Sequence, residues 1–228
     1  MFARSLTRAI LKPRVFNPIL STRSLSGFSS LSPRSLDEIL KRDLIANESR
    51  EKIVTIWEEY HNQSNSSVGF TIKGMDMILI ASRMAECSMC IWPVYKNETD
   101  HFMLLSQFQD KFVLCTYLEE YKTNPGGASP WMSLAMFDEF CSDKDLSLIR
   151  GDFTPNLTKA EGDTICRMIM HAYHNNESYE FIKKFNQKPS EFNFEEYLNH
   201  FSNINKDLKD DAIARKAKDA IEQIAPVE

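Results

Sequence analysis

Near the middle of the chain the spacing of apolar residues changes from helical to alternating, and this change limits the fold more than any other feature. Cys90 to Tyr95, His101 to Gln109 and Phe112 to Tyr117 read as strands, the last two joined into a hairpin by a tight Asp110-Lys111 turn. Phe102, Leu104 and Phe108 fall on one face of the first hairpin strand, Met103 and Leu105 on the other. A strand that is apolar on both faces is either covered twice or offers one face to a partner.

On both sides of this segment the pattern is helical. Ser35-Leu36-Asp37-Glu38 is a capping-box sequence, and Leu36, Ile39, Leu40, Leu44 and Ile45 follow it on one face. A second helix is expected from about Ser49, striped by Ile53, Ile56, Trp57 and Tyr60. A polar loop over 61–69 and a third helix over Ile72 to Met84 come next. After the hairpin we expect a helical turn at Leu118–Tyr121 and a loop at Asn124-Pro125-Gly126-Gly127. A short strand at Trp131–Leu134, a short helix at Met136–Cys141 and a strand at Leu146–Arg150 then follow. Thr158 caps a helix reaching Tyr173, and Glu180–Phe185 and Phe194–Phe201 are shorter helices. The reading is α+β: an antiparallel or mixed sheet with helices at both ends of one domain, 35–202, and a charged helical or disordered tail at 203–228.

The first 34 residues follow a different rule. They hold Arg4, Arg8, Lys12, Arg14, Arg23 and Arg34 and no acid; Asp37 is the first. Arg4, Arg8 and Lys12 would form one stripe of a helix, and Phe2, Leu6 and Ile10 another. Basic, Ser-rich and acid-poor composition without an unbroken apolar core is that of a mitochondrial transit peptide, not of a secretory signal. Arg23-Ser24-Leu25-Ser26 places the expected cut after Leu25, and the destination is the matrix. The whole chain carries 27 basic and 32 acidic residues; without its first 34 it keeps 21 and 32. An acidic mature protein lacks the basic footprint that nucleic-acid binding requires. No apolar run is long enough to cross a membrane.

The motifs that carry chemistry elsewhere are incomplete here. Gly69-Phe-Thr-Ile-Lys-Gly74 has P-loop glycine spacing, but Met75 and Asp76 stand where the phosphate-binding Lys and the metal-binding hydroxyl are needed. Gly69 then reads as a loop glycine and Gly74 as the glycine that opens a helix. The five cysteines, 87, 90, 115, 141 and 166, read as buried free thiols of a reducing compartment. Cys87-Ser-Met-Cys90 forms a lone CxxC at a helix C-terminus, whereas thiolate chemistry needs a helix N-terminus. A thiol oxidoreductase using Cys87 and Cys90 is the alternative function. His171 and His174 share a helix face but have no third metal ligand, and the sequence assigns no catalytic residue, cofactor or metal. What stands out is an aromatic set around the hairpin and the Pro/Gly loop: Phe102, Phe108, Phe112, Tyr117, Tyr121 and Trp131. Core packing and a partner-binding surface use the same residue types.

These same segments resemble a known family, the mitochondrial F₁-ATPase assembly chaperones that bind the free β subunit. The resemblance is carried by Ser35-Leu-Asp-Glu-Ile-Leu40, Ile56-Trp-Glu-Glu-Tyr-His61, the Phe102–Phe108 strand with Gln109, and Tyr117-Leu-Glu-Glu-Tyr121 with its Pro/Gly loop. Leu148-Ile-Arg-Gly-Asp152, Phe185-Asn-Gln-Lys-Pro-Ser-Glu-Phe192 and Phe194-Glu-Glu-Tyr-Leu198 follow in order. Met136-Phe137 departs from the family pattern, which has a His-Tyr pair there. The resemblance implies a non-enzymatic, cofactor-free monomer that masks the α-facing surface of unassembled β until α displaces it. The two-sided apolar character of the hairpin and following loop, residues 102–134, makes them the expected part of the contact surface.

Overall fold

The computed structural model describes residues 34–97 and 100–224. The expected presequence and its cut after Leu25 lie outside them. In chain order the elements are α1 (Leu36–Ile39), α2 (Arg42–Ile45), α3 (Arg50–Asn62), β1 (Ser67–Ile72), α4 (Gly74–Glu86), β2 (Met89–Tyr95), β3 (His101–Gln109) and β4 (Phe112–Tyr117). They continue as α5 (Leu118–Thr123), β5 (Pro130–Phe140), α6 (Cys141–Lys144), β6 (Leu146–Phe153), α7 (Lys159–His174), α8 (Asn176–Gln187) and α9 (Phe194–Ile224). The six strands form one antiparallel sheet in the order β1-β6-β5-β4-β3-β2. The α+β reading therefore holds, with the sheet antiparallel throughout. After β1 the chain crosses the sheet through α4 to the opposite edge, then returns strand by strand until β6 lies beside β1.

Local signals set most of these elements. Ser35 with Glu38 and Thr158 with Glu161 both make reciprocal capping boxes, and Ser49 and Asn175 each accept an amide proton of the first turn. Asp110 takes a φ of 55°, the left-handed conformation that closes the two-residue β3–β4 turn, and Lys111 reaches Asp138 at 2.8 Å.

Four expectations are corrected. The polar segment read as a loop over 61–69 ends in a strand, β1. Its Ser-Val-Gly-Phe-Thr-Ile sequence alternates small or polar with apolar residues, and pairing with β6 gives that alternation two different faces. Helix α4 starts accordingly at Gly74 and not at Ile72, so Gly69 is a strand glycine while Gly74 opens the helix as expected. Of the short helix read at Met136–Cys141, Met136–Phe140 belongs instead to the eleven-residue strand β5, and Cys141 opens α6. Met136 faces one core and Ala135 and Phe137 the other, and a run buried on both faces has no period to separate strand from helix. Finally, the helix read over Phe194–Phe201 continues to Ile224.

The sheet separates two cores. On one face α4, α7, α8 and α9 pack over Trp92, Leu104, Met132, Leu134 and Ile149. Gly151 makes this close: a Cβ there would overlap the Sγ of Cys166 on α7. On the other face α1, α2 and α3 cover only the β1–β6–β5 end, with Leu36, Ile45, Ile53 and Trp57 against Ala135, Phe137, Leu146 and Leu148. A buried polar group stitches α3 to the sheet. Trp57 Nε1 donates to the Ile149 carbonyl at 3.1 Å, and the His61 ring lies against Gly69, where any Cβ would overlap it. His61 Nδ1 is 2.7 Å from the Trp57 carbonyl and its Nε2 is 2.8 Å from Arg150 Nη1. A carbonyl only accepts and a guanidinium only donates, so Nδ1 carries the proton. Arg150 in turn forms a two-pronged pair with Asp152 at 2.7 and 2.6 Å.

The two sheet edges are treated differently. On β2 the outward backbone groups are those of Met89, Ile91, Pro93 and Tyr95, because Phe108 bonds back to Ser88 in register. The Asn186 side chain takes both the N–H and the C=O of Met89, the Tyr197 hydroxyl donates to the Ile91 carbonyl, and Pro93 has no N–H to offer. Much of that edge is thereby taken up and poorly suited to further pairing.

Candidate functional site

Three of the six aromatic residues picked out from the sequence come together at one end of the sheet. Leu104 pairs with Tyr117, which puts Phe102 and Tyr117 on one face, and a bulge in β5 between Pro130 and Met132 turns Trp131 to the same place. Tyr117 stacks on Trp131 with centroids 4.9 Å apart, and Phe102 meets them edge-on at 5.9 and 5.7 Å. Lys96 lies 5.2 Å over the Phe102 ring and pairs with Glu161 at 2.7 Å. All three rings remain half-buried. Phe108 and Tyr121 pack singly against the larger core. Phe112 pairs with Ala135 on the opposite face, is half-buried, and joins neither core. The set is thus one cluster of three and three separate positions.

A second apolar surface lies apart from the aromatic set, on α4. Helix α4 buries Met77, Ile80 and Met84 against the sheet, yet its outer side carries Met75, Ile78 and Leu79, which are 70%, 60% and 38% exposed. Positions i, i+3 and i+4 form one contiguous stripe. The signal was present as apolar residues around nearly the whole helix, which marks a helix that is covered on both sides or awaits a partner.

The thiols sit in the wrong surroundings for redox work. Burial pushes the Cys87 thiol up and holds Cys90 near 12, and burial also raises Cys115 and Cys166. Cys87 ends α4, where the Tyr173 hydroxyl donates to its carbonyl at 2.6 Å. Thiolate nucleophiles need the opposite, a lowered pKa and access. In native protein at pH 8 we expect Cys87, Cys90, Cys115 and Cys166 to resist iodoacetamide for as long as the fold persists, leaving Cys141 as the reacting thiol by mass spectrometry. Rapid labelling of Cys87 or Cys90 would revive the oxidoreductase alternative. His171 and His174 lie on the outer side of α7, and His174 faces Asp76 at 3.4 Å. Among the described residues no His, Cys, Asp and Glu group has metal-binding geometry, and no helix is long and apolar enough to cross a membrane.

No curated protein matches this chain. The family described as "ATP11 protein" matches residues 21–198, which begins ahead of Ser35 and ends within α9. That span takes in the whole sheet, the smaller core, all of the larger core up to Tyr197, and every aromatic position above. Its members form a chaperone-type assembly family and not an enzyme family, which fits the insulated thiols and the exposed apolar surface. The chain therefore belongs to the ATP11 family, whose role is the assembly of F₁-ATPase.

Proposed function

We propose that this chain acts in the mitochondrial matrix as a monomeric chaperone of the unassembled F₁ β subunit. It covers the surface that β presents to α, prevents β from aggregating, and leaves when α docks. The observation that carries the reading is the exposed Met75-Ile78-Leu79 stripe on a chain of this family. An uncovered apolar stripe of this kind marks an interaction surface. Methionine suits it, because an unbranched thioether adapts to a partner's contours. Hairpin and loop residues 102–134, with Phe102, Tyr117 and Trp131 at their centre, Phe108 and Tyr121 against the larger core and Phe112 on the opposite face, supply the second part of the contact. Displacement by α requires a modest interface, about 1,600 Å² or less. The cycle uses no bound nucleotide and no hydrolysis.

The processed chain, used as bait in matrix extract, is expected to recover β without α. Recovery of assembled αβ, or of α alone, would sink the proposal. Ile78→Asp and Phe112→Asp are expected to stay folded, each losing about 1 kcal/mol through propensity and partial burial, because neither side chain belongs to a core. Each should weaken β binding by roughly tenfold or more, as loss of a central apolar anchor does. Full-strength binding by both variants would remove α4 and the hairpin from the contact.

A further inference from the structure

The free edge of β1 is the feature that neither the fold nor the stripe on α4 explains. Phe153 bonds back to the Ser66 carbonyl, which fixes the ladder: Val68 and Phe70 turn their backbone groups toward β6, and Gly69 and Thr71 turn theirs outward. Among the described residues nothing pairs with the outward N–H and C=O of Gly69 and Thr71. This contrasts with β2, where Asn186 and Tyr197 take up outward backbone groups and Pro93 has no N–H to offer. Proteins generally block such edges, and an open one is a template for another strand.

The ground beside the edge suits side chains on both faces of an added strand. On the first-core side an open groove of about 300 Å³ runs between β1, α4, α7 and α9, floored by Phe70, Ile80 and Leu208. On the other side the His61 ring covers Gly69, and Tyr60, 48% exposed, stands 5.0 Å from that ring. The groove is also charge-selective. Both its guanidiniums, Arg167 and Arg215, go to Asp163, at 2.9 and 3.6 Å. Asp76, which faces His174 at 3.4 Å, and Asp211 line the same groove without a Lys or Arg partner among the described residues. A basic side chain opposite them would complete the set.

We infer that the outer edge of β1 takes up an extended segment of the client subunit by strand addition, with a Lys or Arg of that segment set over Asp76 and Asp211. The inference rests on the client reading above. Backbone pairing at Gly69 and Thr71 holds the segment whatever its sequence, and the two carboxylates select for a basic one.

Amide hydrogen exchange on the full chain, free and with purified F₁ β subunit, tests it directly. Gly69 and Thr71 are expected to exchange fast in the free chain and to slow by about tenfold or more with β bound. Val68 and Phe70, already bonded to β6, serve as the internal reference. Thr71→Pro removes an outward N–H and no ladder bond, and should weaken β binding by roughly tenfold. Asp76→Lys with Asp211→Lys should do the same through charge. If β binds tightly while Gly69 and Thr71 exchange as in the free chain, strand addition is overturned and the client reading stands. If the unaltered chain does not bind β at all, both fall. Protection already present in the free chain would mean that the edge is filled from within, and would also overturn the inference.

Discussion

Trp57→Ala is expected to lower the unfolding free energy by about 4 kcal/mol, near the middle of the range for emptying a large aromatic site in a packed core. Trp57 is 1% exposed and lies at the centre of the smaller core, where among the described residues only nine are buried. Its ring meets Phe137 edge-on at 5.9 Å and tilts over His61 at 4.3 Å. Its Nε1 proton goes to the Ile149 carbonyl, so alanine removes a hydrogen bond as well as a ring. The neighbours cannot close the gap, because α1 and α2 have four residues each and contribute one buried side chain apiece. The melting temperature should fall by roughly 10 °C on these grounds. Exchange should rise first across Arg50–Asn62, while α7 on the other face keeps its protection. A loss below about 1 kcal/mol in urea titration would show that α1–α3 contribute little to holding the sheet.

The second large effect is a pH dependence set by His61. Its pKa is lowered from 6.5 to about 4, by burial first and then by the Arg150 charge. The geometry agrees, since Arg150 donates to Nε2 and leaves no room for a second proton. In the unfolded chain His61 takes up a proton near pH 6.5, while in the folded chain it resists until about pH 4. Between those limits the unfolded state binds more protons, so acid favours unfolding. The stability that a neutral His61 allows is therefore fully present above about pH 6.5 and is lost as pH falls toward 4. The shift corresponds to about 3 kcal/mol across that window. His61→Gln removes the titration. Its stability at neutral pH should be lower, but its decline between pH 6.5 and 4 should be shallower by about that amount. Equal slopes for the two proteins in urea titrations across the window would exclude His61 as the source.

These two effects meet in one structural unit, and that unit shows how far local sequence reaches. The capping boxes at Ser35 and Thr158, the Asp110-Lys111 turn, the hairpin strands and the helix C-terminus before Cys87 are all legible, because each depends on residues within a few positions of one another. The strand β1 is half-legible. Its alternation is visible, but a Ser/Asn-rich approach and small residues at 67 and 69 resemble a loop until β6 is placed beside it. The end of β5 is not legible, since Ala135, Met136 and Phe137 are apolar in a row and differ only in which core they enter.

The candidate surfaces divide in the same way. The aromatic residues around the hairpin stand out by composition. Only the register, with its bulge at Trp131, decides that Phe102, Tyr117 and Trp131 touch while Phe112 faces the other side. The stripe on α4 was hidden because Met75, Ile78 and Leu79 cannot be told by type from Met77, Ile80 and Met84. Which side of an all-round apolar helix is covered depends on the sheet beneath it.

The sequence by itself determined the class of fold, the acidic character that follows the first 34 residues, the absence of a complete catalytic motif and the family resemblance that the match over 21–198 supports. Each of these is set by residue type, order and short-range spacing. Only the tertiary structure decided which apolar residues remain outside, which thiols are insulated, and which sheet edge is largely taken up. Exposure, desolvation and backbone pairing depend on segments far apart in the chain: Trp57 with Ile149, His61 with Arg150, Asn186 with Met89. No local window contains both members of such a pair.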